Sequence, residues 1–196
     1  MTRWQVTGIP DGEIGEYRVH NCTESTGEHS WLNYVNYASI PSGDYTVLYR
    51  RFGTSYLNIM QDTDREYIEH DWLTQRMSGD ILIGGLGLGM VHIPLLASSD
   101  VTSVTVVESE QAVIDLVWDH CVKDDRFTLV HADIHTWEPP TGSSWDVGWF
   151  DTWLTTDYDE DGNIIGAEGY KTMIENKYNS LVTEIGGWNW STDGGD

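Results

Sequence analysis

The stretch GDILIGGLGLGM at residues 79–90, followed by VTVVE at 104–108, decides how this chain is read. A short apolar run, Ile81 to Ile83, passes directly into glycines at 84, 85, 87 and 89. Glu108 closes a second apolar run about 20 residues further on, the spacing of a βαβ nucleoside site. Glycine lets the chain turn tightly and lets backbone N–H groups approach a ligand with no Cβ in the way. A carboxylate ending the next strand can accept two hydrogen bonds from the paired hydroxyls of a ribose.

The framework continues in order downstream. Residues 111–120 carry Val113, Ile114 and Val117 at helical spacing. A third strand over 127–132 leads to Asp133, and a fourth over 146–150 leads to Asp151. Three successive strands therefore end in an acid, on the edge where open α/β sheets bind ligands. Beyond Asp151, residues 168–181 read as a helix with Met173, Ile174, Tyr178 and Leu181 on one face. After it, either the sheet stops or residues 181–185 supply one last strand.

Upstream, residues 45–50 and 55–61 are β-rich and joined by a connection containing Gly53, which predicts a hairpin. Thr63 with Glu66 three residues later is a capping box, opening a helix to about Met77. Glu66 and His70 fall at i and i+4 on it, the spacing of a surface pair. Residues 90–96 continue as a helix after the glycine loop, with Pro94 limiting it to a first turn or a kink. Residues 1–40 show no clear period and read as an irregular strand layer or an arm.

The charge of −22, from 32 acids against 10 bases, argues against nucleic acid, because a phosphate backbone is repelled by it. Only three of those bases are lysines, a composition suited to high salt, which screens self-repulsion. Cys22 and Cys121 form no CxxC pair and read as reduced thiols. With no leader-like segment and no long apolar run, the expectation is a cytoplasmic protein that does not enter membranes. A homo-oligomer is compatible with the sequence, which does not specify one.

At this point the residues resemble a known family. YLNIMQ (56–61), DREYIEH (64–70), ILIGGLGLG (81–89), VVESE with Glu108, VHAD with Asp133 and FDTW with Asp151 resemble class I S-adenosylmethionine-dependent methyltransferases, in the spermidine synthase-like branch. The resemblance implies an α/β fold: a Rossmann-like methyltransferase sheet, C-terminally shortened, preceded by an N-terminal β-hairpin layer. It divides the chain into a hairpin layer with connecting helix (1–78), an S-adenosylmethionine-binding domain (79–185) and a polar tail (186–196).

By this resemblance Gly85, Gly87 and Gly89 lie against the methionine part of the cofactor, Glu108 holds the ribose, and Asp133 accepts from the adenine amino group. Asp151 faces the reacting end as cofactor contact and catalytic base. Trp149 and Trp153 flank it, either to stack on an acceptor or to pack the core. The ligand is S-adenosylmethionine, its decarboxylated form or methylthioadenosine, and the leading function is methyl transfer to an unidentified acceptor.

Two departures bear on the reaction. Aminopropyltransferases carry an acid inside the glycine motif, where this chain has Gly87, and a second aspartate soon after the fourth strand, where it has Asp151-Thr-Trp-Leu. A polyamine substrate needs carboxylates for its ammonium groups and a base for the attacking amine. An aminopropyltransferase, a sulfonium-cleaving enzyme and a non-catalytic binding or assembly protein therefore stand as alternatives.

One further motif follows the fourth strand. DYDEDGNIIGAE at 157–168 matches the twelve-residue calcium loop, with Asp157, Asp159, Asp161, Asn163 (through its carbonyl) and Glu168 as ligands and Gly162 at the sharp turn. Calcium bound there would clamp the segment after Asp151.

Overall fold

The parallel sheet predicted from the apolar runs is present, and a second, antiparallel sheet precedes it. A computed structural model describes residues 4–24, 40–152 and 165–190. Its elements are β1 (Gly12–Ile14), β2 (Tyr17–Glu24), β3 (Gly43–Phe52), β4 (Ser55–Gln61), α1 (Asp64–Glu69), α2 (Asp71–Thr74), β5 (Gly79–Gly84), α3 (His92–Ala97), β6 (Val101–Glu108), α4 (Gln111–Val117), β7 (Phe127–His131), β8 (Trp145–Phe150), α5 (Gly166–Tyr178) and β9 (Val182–Gly187). By their internal contacts the residues fall into two units, one of 1–71, 86–97 and 110–123, the other of 72–85, 98–109 and 124–196.

In the first unit, β1 to β4 form an antiparallel sheet in sequence order. The predicted hairpin is β3–β4, with Phe52 opposite Ser55 and Gly53 at φ +60° in the turn. A bulge lies where Leu48 pairs with Met60 and Tyr49 with Asn58, leaving Ile59 as the extra residue. β1 and β2 come from the region without a clear period. Their residues pack only in part, so Tyr17 and Val19 are buried while Asn21 and Thr23 are exposed. The buried Asp62 carboxylate closes the sheet end, accepting from the Val6 N–H (2.9 Å) and the Thr46 N–H (2.8 Å).

Thr63 stands at the N-cap of α1 but makes no side-chain capping bond. The single helix expected to Met77 breaks at His70. That residue is buried, not on a surface, and its Nδ1 donates to the Glu66 carbonyl at 2.6 Å, ending α1. Pro94 falls in the first turn of α3, where a missing N–H leaves no helical bond unmade, so it does not confine the helix to one turn.

In the second unit, five parallel strands run in the order β7-β6-β5-β8-β9. Ile81 to Gly84 of β5 are all buried, as expected of a central parallel strand covered on both faces. The order reverses direction at β5, which pairs with β6 on one side and β8 on the other, so the topological switch point lies between β5 and β8. The fold is therefore α/β with a Rossmann-like sheet.

Of the two alternatives left for the C-terminal part, the last strand is the one present, as β9 beside β8, ending two residues beyond 185. α5 buries Tyr170, Ile174 and Tyr178, spaced i, i+4 and i+8, in one core with Leu82, Val107, Ile134, Phe150 and Val182. Met173, assigned to that face by spacing, is instead exposed. Among the described residues no helix is long and apolar enough to cross a membrane.

Candidate functional site

The C-terminal edge of the parallel sheet gathers the acids singled out in the sequence. At the switch point the Asp151 N–H donates to the Gly84 carbonyl (3.0 Å) and the Gly85 N–H to the Val107 carbonyl (2.8 Å), so the exit of β5 is tied to both neighbours. Gly85 has φ +95°, and a Cβ there would lie 2.6 Å from the Asp151 carbonyl oxygen and 3.4 Å from Thr152 Cγ2. Only glycine fits, because the backbone leaving β8 crosses directly over it.

Glu108 is the last residue of β6, opposite His131 in β7, and is only 7% exposed. Asp133, by contrast, is exposed and shapes its own turn. One carboxylate oxygen accepts from the His135 N–H at 2.9 Å, and the other lies 3.3 Å from the Thr136 hydroxyl. Its carbonyl accepts from the Thr136 and Trp137 N–H groups at 3.0 and 2.7 Å. Asp151 is half-buried at the exit of β8.

Sequence reasoning gives His135 no role, since with His131 it lacks the thiol partners of a zinc site. Its Nε2 lies 3.0 Å from Thr152 Oγ1, the residue after Asp151. Its carbonyl accepts from Lys177 Nζ (3.0 Å), and its ring packs against Tyr170 at 5.4 Å. The neighbouring Ile134 carbonyl accepts from the Tyr178 hydroxyl at 2.7 Å, and burial holds that phenol's pKa above its usual range. α5 thus pins the 133–138 turn at two carbonyls. A polar residue two places after a strand-end acid was the available signal; that it meets Thr152 is a matter of tertiary folding.

Gly87 and Gly89 belong to the first unit. Gly87 has φ +52°, and a Cβ there would lie 2.5 Å from the Met60 sulfur, which accepts from the Leu88 N–H at 3.2 Å. A Cβ on Gly89 would fall 2.7 Å from Cys121 Cβ. All three motif glycines thus make room for this chain's own atoms. Cys121 is buried 3.4 Å from His92 Nδ1, and burial pushes its thiol up to about 11 and the His92 imidazole down to about 4.

Trp149 packs the core and does not face an acceptor: it is 2% exposed and stacks on Trp72 at 6.0 Å. Trp153 and the calcium-loop residues Asp157, Asp159, Asp161 and Asn163 lie outside the described residues. Glu168 is exposed in the first turn of α5. Among the described residues no group of three or more His, Cys, Asp or Glu side chains is arranged to hold a metal ion.

No protein-family model and no curated protein matches the sequence. Among solved structures, the chain is similar to yhhF from Escherichia coli, a proposed methyltransferase, at 17% identity and TM-score 0.45, over 64% of this chain and 63% of that one. It is also similar to N-methyltransferase NodS from Bradyrhizobium japonicum WM9 in complex with S-adenosyl-L-homocysteine, at 17% identity and TM-score 0.44, over 61% and 58%. A dimethyladenosine transferase from Plasmodium falciparum matches at 15% identity and TM-score 0.38, over 48% and 34%. Each match spans less than two thirds of the neighbour's length.

Proposed function

We propose that this protein binds an adenosyl-sulfur compound at the C-terminal edge of its parallel sheet and is an S-adenosylmethionine-dependent methyltransferase. The observation that carries the reading is Glu108: an acidic residue only 7% exposed, ending the strand next to the one that leads into the glycine loop. A vicinal diol supplies two donors to such a group, which is what a ribose offers.

Glu108 holds the ribose hydroxyls, and Asp133 has carboxylate acceptor capacity beyond its own turn for an adenine amino group. Gly85 brings backbone close to the ligand, and Gly87 and Gly89 carry the loop onward along the chain. S-adenosylmethionine, when bound, supplies a methyl group already activated on a sulfonium. The protein's share is to align the acceptor and exclude water. Asp151, at the exit of β8, takes up the acceptor's proton where one must leave.

Calorimetric titration of the full chain with S-adenosylmethionine, its decarboxylated form and methylthioadenosine tests this reading. Saturable binding of S-adenosylmethionine is the expected result. A marked preference for the decarboxylated form would move the assignment to aminopropyl transfer, and no binding of any of the three would overturn it.

A further inference from the structure

Thr152 and His135 join two parts of the sheet edge that are far apart in sequence. Thr152 follows Asp151, and its methyl group lies 3.4 Å from where a Gly85 Cβ would be, so its side chain rests on the first turn of the glycine loop. Its hydroxyl is 3.0 Å from His135 Nε2. His135 is in turn fixed from three directions. Its N–H bonds Asp133, its carbonyl bonds Lys177, and its ring packs on Tyr170. The two main-chain bonds fix the His135 backbone and Tyr170 orients the ring, so the ring carries the position of its turn to the hydroxyl it meets.

We propose that His135 is a positioning residue which, through the Thr152 hydroxyl, fixes the Asp151–Thr152 backbone over Gly85 and so sets the reacting end of the ligand site in register with the Asp133 turn. The inference rests on the adenosyl-ligand reading and deepens it. It makes the turn after β7 and the exit of β8 a single ligand-responsive element. Asp151 keeps its own bond to Gly84, so loss of either partner loosens the Thr152 end of this segment, and affinity falls by about the value of one hydrogen bond, roughly fivefold.

The test uses the full chain and S-adenosylhomocysteine as probe, with affinity read by calorimetry and the His135 imidazole read by nitrogen-15 NMR. Thr152→Val and His135→Ala each weaken binding roughly fivefold, and the double variant is no weaker than either single one, because both remove the same bond. Thr152→Ser and His135→Gln, which keep a polar partner, stay within about twofold of the parent. The His135 Nε2 resonance moves on ligand addition in the parent, a signal that does not depend on any variant folding.

Unchanged affinity in both Thr152→Val and His135→Ala, or an Nε2 resonance that ignores saturating ligand, overturns the inference while leaving the adenosyl site standing. Absence of any binding by the parent overturns both.

Discussion

His92 gives the fold an acid sensitivity of calculable size. Its imidazole is fully buried in α3, with Nδ1 3.2 Å from the Val122 carbonyl and the Trp118 ring edge-on at 5.8 Å. A carbonyl only accepts, so Nδ1 carries the proton of the neutral ring and donates. Burial is the main reason its pKa falls from 6.5 to about 4, with Lys123 adding in the same direction. Between those two pH values the unfolded chain binds a proton that the folded chain refuses. The stability involved is complete above about pH 6.5 and is lost as pH falls toward 4. At about 1.4 kcal/mol per pH unit, that span amounts to about 3 kcal/mol.

The measurement is urea unfolding of the parent and of His92→Asn, which keeps an amide donor near Nδ1 but does not titrate. Protonating carboxylates in a chain of charge −22 relieves repulsion and acts on both proteins alike, so the difference between them isolates the histidine. The parent's advantage should shrink by about 3 kcal/mol between pH 7 and pH 4. A difference that stays constant within about 0.5 kcal/mol would show that His92 titrates normally and is reached by water in the folded protein.

The glycine loop and the buried thiol make two further expectations. Gly85→Ala meets backbone at 2.6 Å and a φ of +95°, so it should destabilise by about 3 kcal/mol or more, whereas Gly87→Ala meets only the yielding end of Met60 and should cost about half that; equal losses by thermal unfolding would refute the contrast. Cys121, with its thiol pushed up to about 11, should label with an aromatic disulfide at pH 8 only as fast as the protein opens, and rapid labelling under native conditions would contradict its burial.

How much of this was legible in the sequence follows from which forces act locally. Ile81 to Gly84 and Val104 to Val107 are apolar runs too short for helices and flanked by turns, so β5 and β6 were readable, and Glu108 at the end of β6 came with them. β1 and β2 were not, because only alternate residues such as Tyr17 and Val19 are buried and the pattern is diluted by polar neighbours. The helix after Thr63 was overextended because nothing local shows that His70 turns inward to bond the Glu66 carbonyl.

At the candidate site, the glycines were legible as special but their reason was not. Met60, Cys121 and the Asp151 carbonyl, each distant along the chain, take the space that a side chain would fill. His135 and Thr152 were silent for the same cause, since a hydrogen bond across 17 residues leaves no periodic trace.

The proposed ligand site turns on whether the Glu108 carboxylate binds the ribose. The direct measurement is calorimetric titration of Glu108→Ala and the parent with S-adenosylmethionine under one buffer and salt. Losing two hydrogen bonds to a charged acceptor predicts an affinity drop of at least about a hundredfold, effectively no detectable binding. A Glu108→Ala protein that stays folded and binds S-adenosylmethionine as tightly as the parent would contradict the account.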